Sequence, residues 1–368
     1  MTYSNILINT SNLHVGGGVQ VATSFLHEFS KINNLSFTPT IYLSTEVYNE
    51  LIKLNTDMSR WIWEIYNTYG LKNFFHNRTK FSKFDVVFTV FGPNYFSNKK
   101  QISITGFAQP WIAYPDNEVY QQMSLLNRLR TRLKFFIQKK FFKRSSKLIV
   151  ELEHVKEKLI ELDIKDKENI YVVKNCISSL YLDKSQWEDI NIEIDPKTLN
   201  IGFIGRDYPH KNLSILPEVK QILKNKYDIN TQFYITLTDE EWLNREDDFT
   251  KNIHNVGVLS TTQCPEFYKK MDAIIFPSLL ECFSATPLEA MAMKTPLFAS
   301  DRRFVKDSCS NYAIYFDPLQ PSAAAEKIAN YLQLPQELQQ KKLEEARQHA
   351  LLFSNAKERA LQYVSILE

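Results

Sequence analysis

The stretch AIIFPSLLECFSATPLEAMAMKTPLFAS, residues 273–300, contains the pattern that decides the fold. Apolar runs over 273–276 and 296–299 are typical of strands buried on both faces, and a helix begins near Thr286 between them. Two buried strands joined by a helix form a parallel pair with a right-handed crossover. The segment therefore predicts an α/β fold with a parallel sheet.

The same alternation of short apolar runs and amphipathic stretches continues through most of the 368 residues. One series of predicted strands covers 5–8, 40–43, 85–91, 101–105, 147–150 and 170–173. A second series covers 199–204, 232–237, 252–256, 273–276, 296–299 and 313–316. Two successive series predict two doubly wound domains, as expected for a chain of this length. The polar, acidic stretch 182–197 is the predicted linker, and the predicted domains are 1–185 and 186–368.

Composition excludes several classes of protein. Hydrophobic residues make up 44% of the chain, which argues against disorder. No apolar run approaches the ~18 residues of a transmembrane helix, and the first residues, MTYSNILINTSN, lack the features of a signal peptide. The four cysteines are scattered without a CxxC pair, which indicates free thiols and no structural zinc. We therefore expect a cytoplasmic protein.

Glycine is scarce, with only 9 in the chain, yet three of them stand together at 16–18. A glycine-rich turn between a strand and a helix lets backbone N–H groups approach a phosphate. The spacing matches neither a dinucleotide-binding fingerprint nor a P-loop, and a flexible connection is the alternative interpretation. In a chain so poor in glycine, we favour ligand binding by Gly17 and Gly18. His14 lies in the same loop and is a candidate for facing the substrate, although a lone loop histidine commonly has no such role.

Two cations follow the strand predicted at 199–204. Arg206 leaves the strand, and Lys211 begins the next helical stretch five residues later. Two cations flanking the N-terminus of a helix form a good receptor for a diphosphate. Ordinary surface charges are the alternative interpretation, but the position directly after a strand favours a site.

Two carboxylates follow the strand predicted at 273–276. Glu281 lies in the loop before the next helix, and Glu289 comes eight residues later. The segment from Thr286 to Glu289 has the pattern of a capping box, so Glu289 has a purely structural alternative role. Glu281 has no such alternative.

These motifs together resemble the glycosyltransferases of family 4, which have the GT-B fold. The resemblance rests on GGGVQ at 16–20, GR at 205–206 with HKN at 210–212, and the E-x7-E pattern of Glu281 and Glu289. The segment VVKNCISSLY at 172–181 and FDP at 316–318 fit the same family. The resemblance implies two Rossmann-like domains facing a cleft, with the donor on the second domain and the acceptor on the first. It also allows the last helix to pack back on the N-terminal domain.

The resemblance implies a retaining transfer of a sugar from a nucleotide-sugar, with no metal or other cofactor. Arg206 and Lys211 would neutralise the donor diphosphate, Glu281 would contact the donor sugar, and Glu289 would bind the ribose hydroxyls. The other donor-binding residues that it implies are Gly17, Gly18, Phe283, Ser284, Ala285 and Thr286. The sequence contains no Asp-x-Asp pair, which agrees with a reaction that needs no metal.

The chain departs from the family pattern at two places. Cys282 and Ser284 replace the glycines of the usual E-G-F-G, so the identity of the sugar stays open. The histidine that commonly serves the acceptor side has no clear counterpart, and Gln109 in TGFAQPW is the candidate to take its place.

A basic segment over 127–147 carries nine Lys or Arg residues and no acid, and apolar residues recur in it every three or four positions. This pattern predicts an amphipathic basic helix. An ordinary solvated helix is one alternative, and nucleic-acid binding is not expected because base-stacking motifs are absent. We expect Asn127–Lys147 to dock on an anionic membrane surface. The aromatic residues predicted at the interface are Phe135, Phe136, Phe141 and Phe142.

The sequence thus predicts a retaining hexosyltransferase, cytoplasmic and peripheral on the inner face of the membrane. Its acceptor would be a glycan or a lipid-linked oligosaccharide in the synthesis of a surface polysaccharide, such as lipopolysaccharide, or of a glycolipid. A GT-B nucleotide-sugar epimerase and a non-catalytic sugar-nucleotide-binding subunit remain as alternatives.

Overall fold

The computed structural model describes residues 5–33 and 35–368, which form two compact units. The first unit comprises 5–33, 35–115, 124–176 and 354–368. The second comprises 116–123 and 177–353. A short segment from the N-terminal half therefore belongs to the second unit, and the last helix belongs to the first.

Each unit contains one parallel sheet. The strands of the first are β1 Ile6–Asn9, β2 Thr40–Leu43, β3 Ile62–Ile65, β4 Val86–Thr89, β5 Ile102–Gly106, β6 Lys147–Val150 and β7 Ile170–Val172. Those of the second are β8 Leu199–Phe203, β9 Thr231–Ile235, β10 Ile253–Asn255, β11 Ala273–Phe276, β12 Leu297–Ser300 and β13 Ile314–Phe316. The orders are β3-β2-β1-β4-β5-β6-β7 and β10-β9-β8-β11-β12-β13. The prediction of two parallel-sheet α/β units is confirmed.

Helices connect the strands of both units. In chain order they begin with α1 Gly17–Ser30, α2 Thr45–Lys53, α3 Phe74–Phe81, α4 Pro110–Ala113, α5 Leu125–Arg144, α6 Glu153–Glu161 and α7 Leu216–Tyr227. They continue with α8 Asp239–Leu243, α9 Asp247–Asn252, α10 Cys264–Lys270, α11 Thr286–Ala292, α12 Arg303–Cys309, α13 Pro321–Leu332, α14 Gln336–Leu352 and α15 Ala356–Leu367. None of the helices in the described ranges is long and apolar enough to cross a membrane.

The core of the first unit includes the last helix of the chain. Tyr363 of α15 packs edge-to-face on Phe25 of α1 and on Phe88 of β4, with ring centroids 5.0 and 5.3 Å apart. Aromatic pairs of this geometry add about 0.5–1.5 kcal/mol each beyond the area that they bury. Aromatic packing therefore ties α15 to the first unit.

The sheet of the first unit requires a glycine at one position. A Cβ atom at Gly106, the last residue of β5, would lie 1.7 Å from the carbonyl oxygen of Val90. The chain after β4 can approach β5 this closely only because Gly106 has no side chain.

Strand β3, at one edge of the first sheet, was not predicted from the sequence. Its residues Ile62, Trp63, Glu64 and Ile65 are all exposed. An exposed edge strand lacks the continuous burial by which the other strands were predicted.

The segment 116–123 packs within the second unit. Its Glu118 forms an ion pair with Arg302, and Val119 and Tyr120 are buried. The segment contacts the 3-10 turn Pro209–Lys211, which follows β8. Residues outside the C-terminal half of the chain thus support the turn that carries Lys211.

Candidate functional site

Lys211 and Glu281 meet at the carboxyl edge of the second sheet. Strands β8 and β11 are neighbours in that sheet, so the loops that follow them are brought together. Lys211 Nζ lies 2.5 Å from Glu281 Oε1, and each side chain is only 13% exposed. Two residues that the sequence analysis proposed from separate motifs therefore form one largely buried ion pair.

His210, which was not predicted as a site residue, lies beside this ion pair. Its Nε2 lies 3.9 Å from the same Glu281 oxygen, and its ring stacks on Tyr208 at 5.5 Å. Burial lowers the pKa of His210, an effect that the nearby Glu281 carboxylate partly offsets. The lowered pKa keeps the imidazole neutral near pH 7, where it can donate or accept a hydrogen bond. The sequence features pointing to it were its position between Arg206 and Lys211 and its place in HKN at 210–212.

Arg206 belongs to a second group of charges at the same edge of the sheet. Its Nε donates to Glu241 Oε1 at 2.8 Å, and the backbone N–H of Asp207 donates to the same oxygen at 3.1 Å. Arg245 in turn pairs with Asp207. The Arg206 side chain remains 50% exposed, so part of its guanidinium is open to solvent.

Glu241 was not predicted as part of this group of charges, because its sequence context indicates another role. Glu241 completes a capping box with Thr238 at the start of α8, a pattern that is fully explained by helix capping. Only the fold shows that the same carboxylate also accepts hydrogen bonds from the loop after β8.

Glu289 is not part of a capping box, so that interpretation of the Thr286–Glu289 segment was wrong. Helix α11 begins at Thr286, and the residue before it, Ala285, already has helical dihedral angles of −75° and −30°. Thr286 is therefore inside the helix and makes no side-chain cap. Glu289 instead accepts a hydrogen bond from the Tyr268 hydroxyl at 2.8 Å. Burial raises its pKa, whereas hydrogen bonds from Tyr268 and Tyr181 act in the opposite direction.

The loop that contains E-C-F-S lies between β11 and α11. Cys282 is buried, whereas Phe283, Ser284, Ala285 and Thr286 are partly exposed. The ring of Phe283 stacks on Phe353 with centroids 6.4 Å apart. Of the two side chains that replace the usual glycines, Cys282 is thus accommodated inside the second unit and Ser284 stays partly exposed.

The candidate residues of the first unit lie at the carboxyl edge of its own sheet. Gly17 and Gly18 form the first turn of α1, where residues 15–17 are exposed. Gln109 precedes α4, directly after β5, and is partly buried. Gly17, Gly18 and Gln109 therefore lie in or beside loops that follow strands and are at least partly exposed to solvent.

His14 is held at both ring nitrogens. Its Nδ1 lies 2.9 Å from Glu46 Oε2, its Nε2 lies 3.0 Å from the Thr68 carbonyl oxygen, and the ring stacks on Tyr69 at 4.3 Å. Both ring nitrogens therefore face polar groups of the first unit. In this arrangement His14 fastens the first loop.

Helix α5 carries the predicted basic segment and exposes an apolar stripe. Its strongly exposed apolar side chains are Leu125, Leu126, Leu129, Leu133, Phe136 and Ile137. The prediction that Phe135 and Phe142 lie at a surface was wrong, because both are buried. Phe135 stacks on Trp111 of α4 at 5.7 Å, and Phe142 packs on Phe107 at 4.8 Å. Phe141 is partly buried against Tyr95 at 4.8 Å.

No group of three or more His, Cys, Asp or Glu side chains in the described part of the chain is placed to hold a metal ion. The charges at the edge of the second sheet are instead arranged as cation–carboxylate pairs.

The sequence of the second unit, including this edge of its sheet, is similar to that of known proteins. Residues 185–349 match the sequence model of the glycosyl transferases group 1. The O-antigen chain mannosyltransferase RfbU of Salmonella typhimurium is 24% identical over 252 residues, covering 65% of this chain and 67% of RfbU. The matched region contains Arg206, Lys211, Glu281 and Glu289.

Solved structures share the fold over nearly the whole chain. A glycosyltransferase from Rickettsia africae superposes with a TM-score of 0.69 at 19% identity, covering 99% of this chain and 97% of that one. Anabaena Alr3699/HepE in complex with UDP-glucose superposes with a TM-score of 0.68 at 12% identity, covering 99% of both chains. The protein therefore has the GT-B fold, and its similarities support a glycosyltransferase.

Proposed function

We propose that this protein is a retaining family 4 glycosyltransferase that moves a hexose from a nucleotide-sugar to a glycan or lipid-linked oligosaccharide. The product would belong to a surface polysaccharide of the lipopolysaccharide type. The observation that carries the proposal is the buried Lys211–Glu281 pair, which lies beside His210 at the carboxyl edge of the second sheet. The similarity to RfbU supports the O-antigen context, and the UDP-glucose complex of HepE supports a nucleotide-sugar donor.

The charge arrangement suits a diphosphate leaving group. Lys211 and Arg206 are each held by a carboxylate before a donor binds. Fixed cations that need no reorganisation stabilise the charge that develops on the leaving diphosphate. The donor would replace Glu281 as the partner of Lys211 and free that carboxylate to bind hydroxyls of the sugar. Glu289 would bind the ribose from the helix that follows, and Gly17 and Gly18 would contact the phosphate through backbone N–H groups. Fixed charge would thus serve in place of a metal or other cofactor.

Two variants test the assignment of the donor site. Lys211→Ala and Glu281→Ala should each lower sugar transfer at least ~100-fold, because each removes a group that acts on the reacting donor. Far-ultraviolet circular dichroism should show the fold intact. Lys220→Ala is the matched control, since that lysine of α7 donates to Gln232 Oε1 and to the Asn252 carbonyl and is not one of the proposed site residues. Wild-type turnover in both site variants would refute the proposal.

The same assay separates the alternative functions. An epimerase would convert the nucleotide-sugar without an acceptor, and a non-catalytic subunit would bind it without turnover. Nuclear magnetic resonance of the product gives the anomeric configuration, and inversion would contradict the retaining mechanism. Activity should persist in EDTA, and a loss that added Mg²⁺ restores would contradict the absence of a metal.

Helix α5 is proposed to dock the protein on the cytoplasmic face of an anionic membrane. Its exposed apolar stripe and its eight cations, without an acid, fit such a surface. Each cation near anionic lipid contributes about 1 kcal/mol, and the stripe adds apolar burial. Flotation with phosphatidylglycerol vesicles should be lost when Arg130, Arg132, Lys139 and Lys140 are reversed to Glu. Unchanged flotation would refute the docking, as would equal binding of the wild type to neutral vesicles.

A further inference from the structure

Two tyrosines from different elements converge on the carboxylate of Glu289. The hydroxyl of Tyr268, on α10, donates to Glu289 Oε2 at 2.8 Å. Tyr181, in the 3-10 turn Ser179–Leu182, lies close enough to Glu289 to influence the pKa of this carboxyl group. The two rings pack edge-to-face with centroids 5.9 Å apart. Tyr268 therefore holds Glu289 directly, and Tyr181, 87 residues earlier in the chain, packs against Tyr268 beside it.

The two tyrosines are more deeply buried than Glu289. Tyr268 is fully buried and Tyr181 is 7% exposed, while Glu289 is only partly buried. Burial raises the pKa of both phenols well above 10, so both act as hydrogen-bond donors at physiological pH. A hydrogen bond to a charged acceptor is stronger than one between neutral groups. The bond from Tyr268 thus restricts the orientation of the carboxylate.

A carboxylate held in this way suits a pair of adjacent hydroxyl groups. An ionised carboxyl group accepts hydrogen bonds at two oxygens, and the hydroxyls of a vicinal diol are spaced to donate to both. Glu289 lies on α11, the helix that directly follows the loop with Glu281. It therefore belongs to the same edge of the second sheet as the Lys211–Glu281 pair.

We propose that Tyr268 and Tyr181 are positioning residues that fix the Glu289 carboxylate for the 2′- and 3′-hydroxyls of the donor's ribose. This inference rests on the proposed function, which gives Glu289 the ribose of a nucleotide-sugar. The tyrosines do not touch the donor. They determine how well the site distinguishes a ribonucleotide from an analogue without the diol.

The test compares two ligands in the full-length protein. Isothermal titration gives the dissociation constants of UDP or GDP, whichever stabilises the wild type more, and of its 2′,3′-dideoxy analogue. We expect the wild type to prefer the ribonucleotide at least tenfold. Tyr268→Phe should weaken ribonucleotide binding about tenfold and leave the dideoxy analogue unchanged, because only the orientation of Glu289 is lost. Tyr181→Phe should act in the same direction, and in transfer assays both variants should raise the donor KM more than they lower kcat.

Tyr331→Phe is the matched control. Tyr331 is also a buried tyrosine of the second unit, and its hydroxyl has no hydrogen-bond partner among the described residues. This variant should keep the full preference for the ribonucleotide. Equal weakening of both ligands by Tyr268→Phe and Tyr181→Phe would indicate a merely structural role and would overturn the inference.

Glu289→Gln separates this inference from the proposed function. If Glu289→Gln loses the preference for the ribonucleotide while both tyrosine variants keep it, the positioning role is wrong and the ribose site stands. If Glu289→Gln keeps the preference, the assignment of the ribose to Glu289 is wrong, and the positioning role falls with it.

Discussion

The loops at the carboxyl ends of the two sheets are held by different interactions. In the second unit, ion pairs hold the loops after β8 and β11, with Lys211 on Glu281 and Arg206 on Glu241. In the first unit, uncharged groups hold the loop after β1. Asn9 accepts hydrogen bonds from the backbone and hydroxyl of Ser11 and donates to Thr89 Oγ1.

The difference in charge between the two sheet edges bears on the class of ligand that each was proposed to bind. A charge in a poorly solvated site interacts strongly with an opposite charge, so the second edge suits a diphosphate. Neutral hydrogen-bonding groups with little net charge suit the hydroxyls of a glycan. The contact between His14 and Glu46 in the first loop is more exposed and fastens the loop to α2. The two edges therefore agree with the donor and acceptor roles proposed above.

Breaking the ionic edge should have the largest effect. Lys211→Met leaves Glu281 largely buried without its cation and should lower the free energy of unfolding by about 2–4 kcal/mol. Urea denaturation measures this change. The double variant Lys211→Met/Glu281→Gln should recover most of the stability but no transfer activity. A double variant as unstable as Lys211→Met would contradict the pairing as the source of the loss.

Breaking the uncharged edge should cost somewhat less. Asn9→Ala leaves the buried Ser11 backbone N–H without its acceptor and should lower the free energy of unfolding by about 1–3 kcal/mol. The loss should be the same at low and high salt, because no charge is involved. Asn67→Ala, which removes exposed hydrogen bonds to Thr45, is the control and should change stability by less than about 0.5 kcal/mol. A strong salt dependence of the Asn9 variant would contradict the uncharged description.

Alanine substitutions of two glycines in the first loop should change the free energy of unfolding by smaller amounts and in opposite directions. Gly16 has a φ of 66°, so Gly16→Ala should destabilise the protein by about 1 kcal/mol. Gly17 has open space around its Cβ position and lies in the first turn of α1, so Gly17→Ala should stabilise it by up to about 0.5 kcal/mol. Thermal denaturation measures both. Gly17→Ala should nevertheless weaken donor binding, and a variant with unchanged donor affinity would remove Gly17 from the proposed phosphate site.

The exposed ionic contact of the first loop should give the smallest effect. Burial raises the pKa of Glu46, but its hydrogen bonds with His14, its own backbone and Ser44, together with the charge interaction with His14, outweigh this, and the net pKa lies below the ordinary 4.5. A lowered pKa means that the stabilisation is present above about pH 5 and is lost as the pH falls through the lowered value. Glu46→Gln should therefore be less stable than the wild type by under about 0.5 kcal/mol near pH 6, since the carboxylate is 41% exposed. Melting curves should converge near pH 3, and a gap that stays constant down to that pH would exclude the ionic contribution.

Much of the fold was predictable because burial on both faces leaves a local pattern. The apolar run over 273–276 coincides with β11, and the run over 147–150 coincides with β6. The edge strand β3 was not predicted in this way, because Glu64 interrupts its apolar residues and the strand is exposed rather than buried on both faces. Likewise, the basic pattern of α5 was visible, but the choice of Phe135 and Phe142 as buried residues depends on Trp111 and Phe107 of other elements.

The sequence by itself determined the parallel α/β class and the residues that follow strands, because hydrophobic periodicity and strand-end positions are local properties. Only the tertiary structure decided which of these residues interact. Lys211 reaches Glu281 across 70 positions because β8 and β11 are adjacent in the sheet. Glu289 is held by Tyr268 and Tyr181 because α10 and the turn after residue 177 pack beside α11. Hydrogen bonds and ion pairs depend on distances of a few ångströms, and those distances are fixed by how the strands are ordered and the helices packed.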